Sequence, residues 1–118
     1  MYSAQLLDHF QNPRCAGDLD GANAIAEIEN PVCGDVIRLS LRVDNGKIVD
    51  ARFKAKGCVP AIACGSALTE LIVGKGLADI HRLNRDDISA AVGGIPQAST
   101  HAAQLAVDVL LAALKQIE

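Results

Sequence analysis

Two runs of alternating residues on either side of Asn45-Gly46 constrain this chain more than any other feature. Ile37, Leu39, Leu41 and Val43 alternate with Arg38, Ser40 and Arg42, and beyond the turn Val49, Ala51, Phe53 and Ala55 alternate with Asp50, Arg52, Lys54 and Lys56. A period of two marks a strand with one buried face. Asn-Gly accepts the positive φ angles of a type I′ turn, so residues 35–43 and 47–56 are expected to pair as an antiparallel hairpin. A weaker pattern over 24–30 supplies a third strand. The cations Arg38, Arg42, Arg52, Lys54 and Lys56 read as the solvated face of the hairpin; the alternative is a docking surface for an acidic partner.

The remaining segments have a helical period. Ser3 is placed to cap a short helix whose Leu6, Leu7 and Phe10 share a face and which Asn12-Pro13 ends. After Gly57, Pro60 suits a first helical turn, and Ala61, Cys64, Leu68, Leu71 and Ile72 form a stripe that runs to Val73 before Gly74. A helical piece is expected over 77–81. Asn84 and Asp87 have the spacing of a capping box, for a helix ending at Gly93-Gly94. Ser99 or Thr100 should cap a last helix with Ala103, Val107, Leu110, Leu114 and Ile117 on one face. Strands first and helices after, joined by a hairpin, predict an α+β fold: a three-stranded antiparallel sheet with four to five helices on one face. No repeat or linker interrupts residues 1–118, which read as one domain.

Composition narrows the function. Half of the 118 residues are hydrophobic, but the aromatics are only Tyr2, Phe10 and Phe53, so Ala, Val, Ile and Leu must build the core. A domain of this size folds without a metal or disulfides, which makes any metal functional. The net charge of −3, with no basic cluster, argues against nucleic-acid binding. No apolar run reaches the roughly 20 residues of a membrane span, and the start of the chain lacks a signal-like stretch, so a cytoplasmic location is expected. In a reducing compartment Cys15, Cys33, Cys58 and Cys64 are read as thiols or metal ligands.

Three groups lie at element boundaries. Cys33-Gly34-Asp35 opens the second strand and can present a sulfur and an oxygen to one metal. Cys58 precedes a helix, where unsatisfied N–H groups and the helix dipole favour thiolate. His101 lies in the first turn of the last helix, where the same dipole favours neutral imidazole. If these boundaries meet at one end of the sheet, they supply two S, one N and one O donor, a set suited to zinc or to an iron–sulfur cluster. Cys64 lies on the apolar stripe and reads as a core cysteine, with an auxiliary thiol role as the alternative. Cys15 reads as incidental, and His9 and His81 as surface or helix-end residues. A zinc hydrolase would need a base beside an open coordination position. No HExxH is present, and Glu70 lies about three turns into its helix, so no enzyme is expected.

Several ordered motifs together resemble the U-type iron–sulfur cluster assembly scaffolds, the IscU proteins and the N-terminal domain of NifU. They are Tyr2-Ser3, Asp8-His9-Phe10-Gln11-Asn12-Pro13-Arg14, Cys33-Gly34-Asp35, Asp50-Ala51-Arg52-Phe53, Gly57-Cys58, Ala61-Ile62-Ala63, Leu68-Thr69-Glu70 and His101. The resemblance implies an α+β fold that assembles a transient [2Fe–2S] cluster, or holds zinc, and passes its cargo to apo-proteins. It makes Cys33, Cys58 and His101 ligands, with Asp35 the carboxylate that ligates zinc and keeps the cluster labile. It also implies a cysteine desulfurase as sulfur donor. Two departures stand out. Ala102 replaces the cysteine that follows the family's histidine, which leaves open a zinc-binding or persulfide-relay variant. Gly94-Ile95-Pro96-Gln97-Ala98 stands where the family has the Leu-Pro-Pro-Val-Lys motif read by an Hsp70-type chaperone, which weakens the case for that partner.

Overall fold

Asn45 (φ +52°) and Gly46 (φ +73°) both take the left-handed backbone of a type I′ turn, and the strands they join form the centre and one edge of the sheet. The structure, a computed structural model, describes residues 2–31 and 34–117. Its elements are α1 (Ala4–Gln11), β1 (Ala24–Asn30), β2 (Asp35–Asp44), β3 (Lys47–Lys56), α2 (Val59–Ile72), α3 (Leu77–Ile80), α4 (Arg85–Ala91), a 3-10 turn (Gln97–Ser99) and α5 (Thr100–Leu114). The strands pair antiparallel in the order β1-β2-β3. This is the expected α+β fold.

One expectation about the hairpin fails. The alternation places Val49 on the buried face, yet it is 43% exposed and Ile48 is fully buried. Arg42 pairs with Asp50 but Val43 pairs with Ile48, so Val49 is the extra residue of a β-bulge. A bulge shifts the alternation by one position and exchanges the faces. Strict alternation read from Ala51 backwards could not see it.

The buried sheet face (Ile37, Leu39, Leu41, Ala51, Phe53) meets Leu68 and Ile72 of α2 and Ala102, Ala106 and Leu110 of α5 in one core. α2 packs between α1 and β3, and α5 lies across β1 and β2. Gly65 explains how α2 comes so close: a Cβ there would stand 2.6 Å from the Phe53 ring. The last helix is entered differently from the sequence reading. Ser99 occupies the N-cap position but makes no side-chain cap bond, and Thr100 Oγ1 donates instead to the Gln97 carbonyl at 3.1 Å. The capping box at Asn84 and Asp87 is present as read.

The N-terminal motif folds against α2. Ser3 caps α1, accepting from Leu6 N–H at 2.9 Å. The sequence places His9 at the surface or a helix end; it lies in the last turn of α1 but is only 5% exposed. Its Nδ1 meets Ser66 Oγ at 2.8 Å, and the same oxygen accepts the Arg14 N–H at 2.8 Å. Arg14 also pairs with Asp8 at 2.5 Å and reaches Glu70 at 3.5 Å. Burial, with the Arg14 charge as a smaller cause, holds the His9 imidazole below its usual pKa. The period of α1 could not reveal this burial, because the polar partners come from a helix more than fifty residues away.

Candidate metal centre

The hairpin register builds the site. Val36 pairs with Lys56, so the next pair outward sets Asp35 against Gly57, and the chain then enters α2 at its N-cap, Cys58. Gly57 has φ +126°, and a Cβ on it would stand 2.1 Å from Asp35 Oδ1 and 2.9 Å from the Asp35 Cα. Only glycine lets the two strands approach here. The first turn of α5 brings His101 to the same pole.

Asp35 is the hub. Its side chain is 2% exposed, and a buried carboxylate is costly unless hydrogen-bonded. Oδ1 accepts the Cys58 N–H at 2.8 Å, Oδ2 accepts from Cys58 Sγ at 3.3 Å, and His101 Nε2 lies 3.2 Å from Oδ2. The Asp35 oxygen, the Cys58 sulfur and the His101 nitrogen all lie within 4.8 Å of one another. Ligand bonds of about 2.0–2.3 Å in a tetrahedron put donor atoms about 3.3–3.8 Å apart. The group therefore fits one metal ion with small side-chain adjustments, once the thiol gives up its proton. His101 is partly open, with its side chain 31% exposed, and lines a cleft of about 440 Å³ with Glu29, Arg85, Gln104 and Asp108.

Of the sequence-derived ligands, Asp35, Cys58 and His101 come together, and Cys33 lies outside the described residues. Cys64 is fully buried in the core cluster and stands outside the group of three. Burial first, and the neighbouring Cys58 second, push its thiol up to about 12, so it stays protonated and a poor ligand. Cys15 is half-buried at φ +57°, with its carbonyl bonded to the Phe53 N–H at 2.9 Å. Ala102 is fully buried beside His101 in the first turn of α5. The steric part of Gly57 is not visible in the Gly57-Cys58 motif; it shows only once the register sets Asp35 against it.

The fold and the site together define a small α+β domain with a Cys/Asp/His group that could hold a metal ion between its sheet and two helix starts. The family profile described as "NifU-like N terminal domain" matches residues 1–118, and the chain belongs to that family. It is 39% identical over 114 residues to "Iron-sulfur cluster assembly scaffold protein IscU 1" of Archaeoglobus fulgidus, covering 97% of this chain and 74% of that protein. With "Iron-sulfur cluster assembly enzyme IscU" of Drosophila melanogaster it shares 39% identity over 118 residues, covering 97% and 76% of the two chains. Among solved structures, a "Nitrogen-fixing NifU-like protein (N-terminal) from Brucella abortus" superposes with a TM-score of 0.82 at 19% identity, over 98% of this chain and 92% of that one, which supports the fold.

Proposed function

We propose that this chain is an iron–sulfur cluster assembly scaffold, acting as one unit over residues 1–118. It holds a labile [2Fe–2S] cluster or zinc on Cys33, Asp35, Cys58 and His101, then transfers that cargo to recipient apo-proteins. The observation that carries the reading is the convergence of the Asp35, Cys58 and His101 donor atoms within 4.8 Å, from three elements remote in sequence. The names of its relatives support the same reading. One relative is named an enzyme; the proposed role here is that of a carrier. The chain binds and releases, taking sulfur from a cysteine desulfurase. Among the described residues no helix is long and apolar enough to cross a membrane; the location proposed is cytoplasmic.

Anaerobic addition of iron and sulfide should give visible charge-transfer absorption that is lost in Cys33→Ser or Cys58→Ser. A colourless product, with iron uptake no greater than in the double variant, would refute cluster assembly. Ala102 favours a second reading, in which the missing sulfur makes zinc the resident ion and Cys33 or Cys58 a persulfide carrier. About one zinc per chain as isolated, with a mass increase of one sulfur on Cys58 or Cys33 after treatment with a desulfurase, would select that variant.

A further inference from the structure

Both outer edges of the sheet are covered in part. On β1 the Gln116 side-chain amide accepts from the Ile25 N–H at 2.9 Å and donates to its carbonyl. On β3 the Ile48 N–H donates to the Lys75 carbonyl at 3.0 Å, and the Gly74 N–H donates to the Ile48 carbonyl at 2.7 Å. The Ala51 N–H donates to Asp50 Oδ1 at 2.8 Å, and the Ala51 carbonyl accepts from Arg52 at 2.9 Å. Phe53 donates to the Cys15 carbonyl at 2.9 Å and accepts the Gly17 N–H at 2.8 Å.

Alternate residues of a strand turn their N–H and C=O to the same edge. Ala55 therefore faces outward as Ala51 and Phe53 do, and among the described residues no backbone or side-chain group outside the sheet bonds to it. Its edge opens into a cleft of about 460 Å³ with Pro13, Ala16 and Ile62 as apolar lining and Arg38, Lys54, Lys56 and Glu27 as charged lining. Asp18 is shared between Lys54 at 2.8 Å and Arg38 at 3.7 Å, and the buried Arg38 Nε has no hydrogen-bond partner. Lys56 has no ion pair among the described residues.

We infer that the free edge of β3 at Ala55 docks an extended acidic segment of a partner polypeptide, which adds as a short strand two residues before Gly57 and three before Cys58. Strand addition supplies the backbone bonds that Ala55 lacks. The cations select carboxylate side chains on the incoming strand, since opposite charges on neighbouring strands attract. They also exclude a second copy of this chain, because pairing two β3 edges sets Lys54 and Lys56 against their own counterparts. The inference stands on the sheet edge alone; its use, holding a partner beside the metal pole, rests on the proposed function.

The test is amide exchange and chemical-shift titration of the full chain in chelator. The probe is a capped heptapeptide of alternating Glu and Val, compared with its Lys/Val counterpart and with a Glu/Val peptide N-methylated along one edge. The Ala55 N–H should exchange freely in the monomer and become protected by Glu/Val, and neither comparison peptide should protect it. Lys56→Glu should weaken binding about five- to ten-fold, by reversing one cross-strand charge pair. Ala55→Pro, tolerable at an edge, should abolish binding. If that variant fails to fold, Lys56→Glu and the N-methylated peptide still decide. An Ala55 amide already protected in the free monomer, equal binding of Lys/Val, or equal binding of the N-methylated peptide overturns the inference. Protection that grows with protein concentration alone overturns it in favour of a second copy. Cys58→Ser should leave peptide binding intact; failure of the metal site with intact docking counts against the carrier reading alone.

Discussion

Gly57→Ala is the substitution with the largest expected effect for its size. The backbone at φ +126° lies beyond the left-handed range open to L-residues, a strain of about 1–3 kcal/mol for alanine. The new methyl would also stand 2.1 Å from Asp35 Oδ1 and 2.9 Å from both Asp35 Cγ and Cα. A side-chain rotation relieves the first contact but not the backbone one, so the strand ends must separate, an overpacking cost of about 1–3 kcal/mol. Moving Oδ1 also weakens its bond to the Cys58 N–H. Because these effects relax together, the expected net loss is about 3–5 kcal/mol, or very roughly 10–20 °C in Tm. Gly46→Ala is the control, since it has φ +73° and nothing within 4 Å of its Cβ; it should cost about 1 kcal/mol. Urea unfolding in chelator measures both, and zinc affinity measured alongside should fall only in Gly57→Ala. Adding Asp35→Ala to Gly57→Ala should restore part of the lost stability. If the two glycine variants lose equal stability, the steric account of the site is wrong.

Three further outcomes follow from the packing. Gly65→Ala should destabilise by about 1–3 kcal/mol in thermal melts despite alanine's higher helix propensity, because its methyl meets the Phe53 ring; a stabilised variant would mean α2 can lift from β3 freely. The folded-state pKa of His9 is depressed, so the unfolded chain binds more protons; stability should be full above about pH 6.5 and fall as pH drops through the lower folded pKa. Melts between pH 5 and 8 should show that slope diminished in His9→Gln, and an unchanged slope would assign it elsewhere. Cys64→Ala should leave metal stoichiometry unchanged in elemental analysis while costing about 1–2 kcal/mol as a small core truncation; loss of metal would place the thiol in the site.

The elements were legible wherever a local period or cap specifies them: the Asn45-Gly46 hairpin, the capping box at Asn84, and the stripe that became α2. What escaped reading depends on partners far away in the chain. Val49 faces solvent because a bulge absorbs one residue, His9 is buried because Ser66 meets it from α2, and the edge of β3 is covered by segments that show no strand pattern of their own. For the site, residue type and boundary position, with the family resemblance, named Cys33, Asp35, Cys58 and His101 as a ligand set on the condition that their element ends meet; three of them do, and Cys33 lies outside the described residues. Their convergence required the register of β2 against β3, which no spacing of 23 or 66 residues encodes.

The same register suggests why a carboxylate sits at the centre of the pole. Asp35 is held by the sheet and buried, while Cys58 and His101 enter from helix starts, and all three meet through Asp35 oxygens. In the proposed function an incoming ion would exchange these hydrogen bonds for ligand bonds. A carboxylate oxygen is a harder donor than a thiolate and a weaker partner for soft iron–sulfur cargo. In the proposed function it would therefore be the first ligand released when a recipient offers thiolates. Asp35→Ala should then hold a reconstituted cluster longer in transfer assays, with a several-fold slower loss to an apo-acceptor followed by absorption. Faster loss than in the unmodified chain would mean that Asp35 retains the cargo, and that its central position serves the fold first.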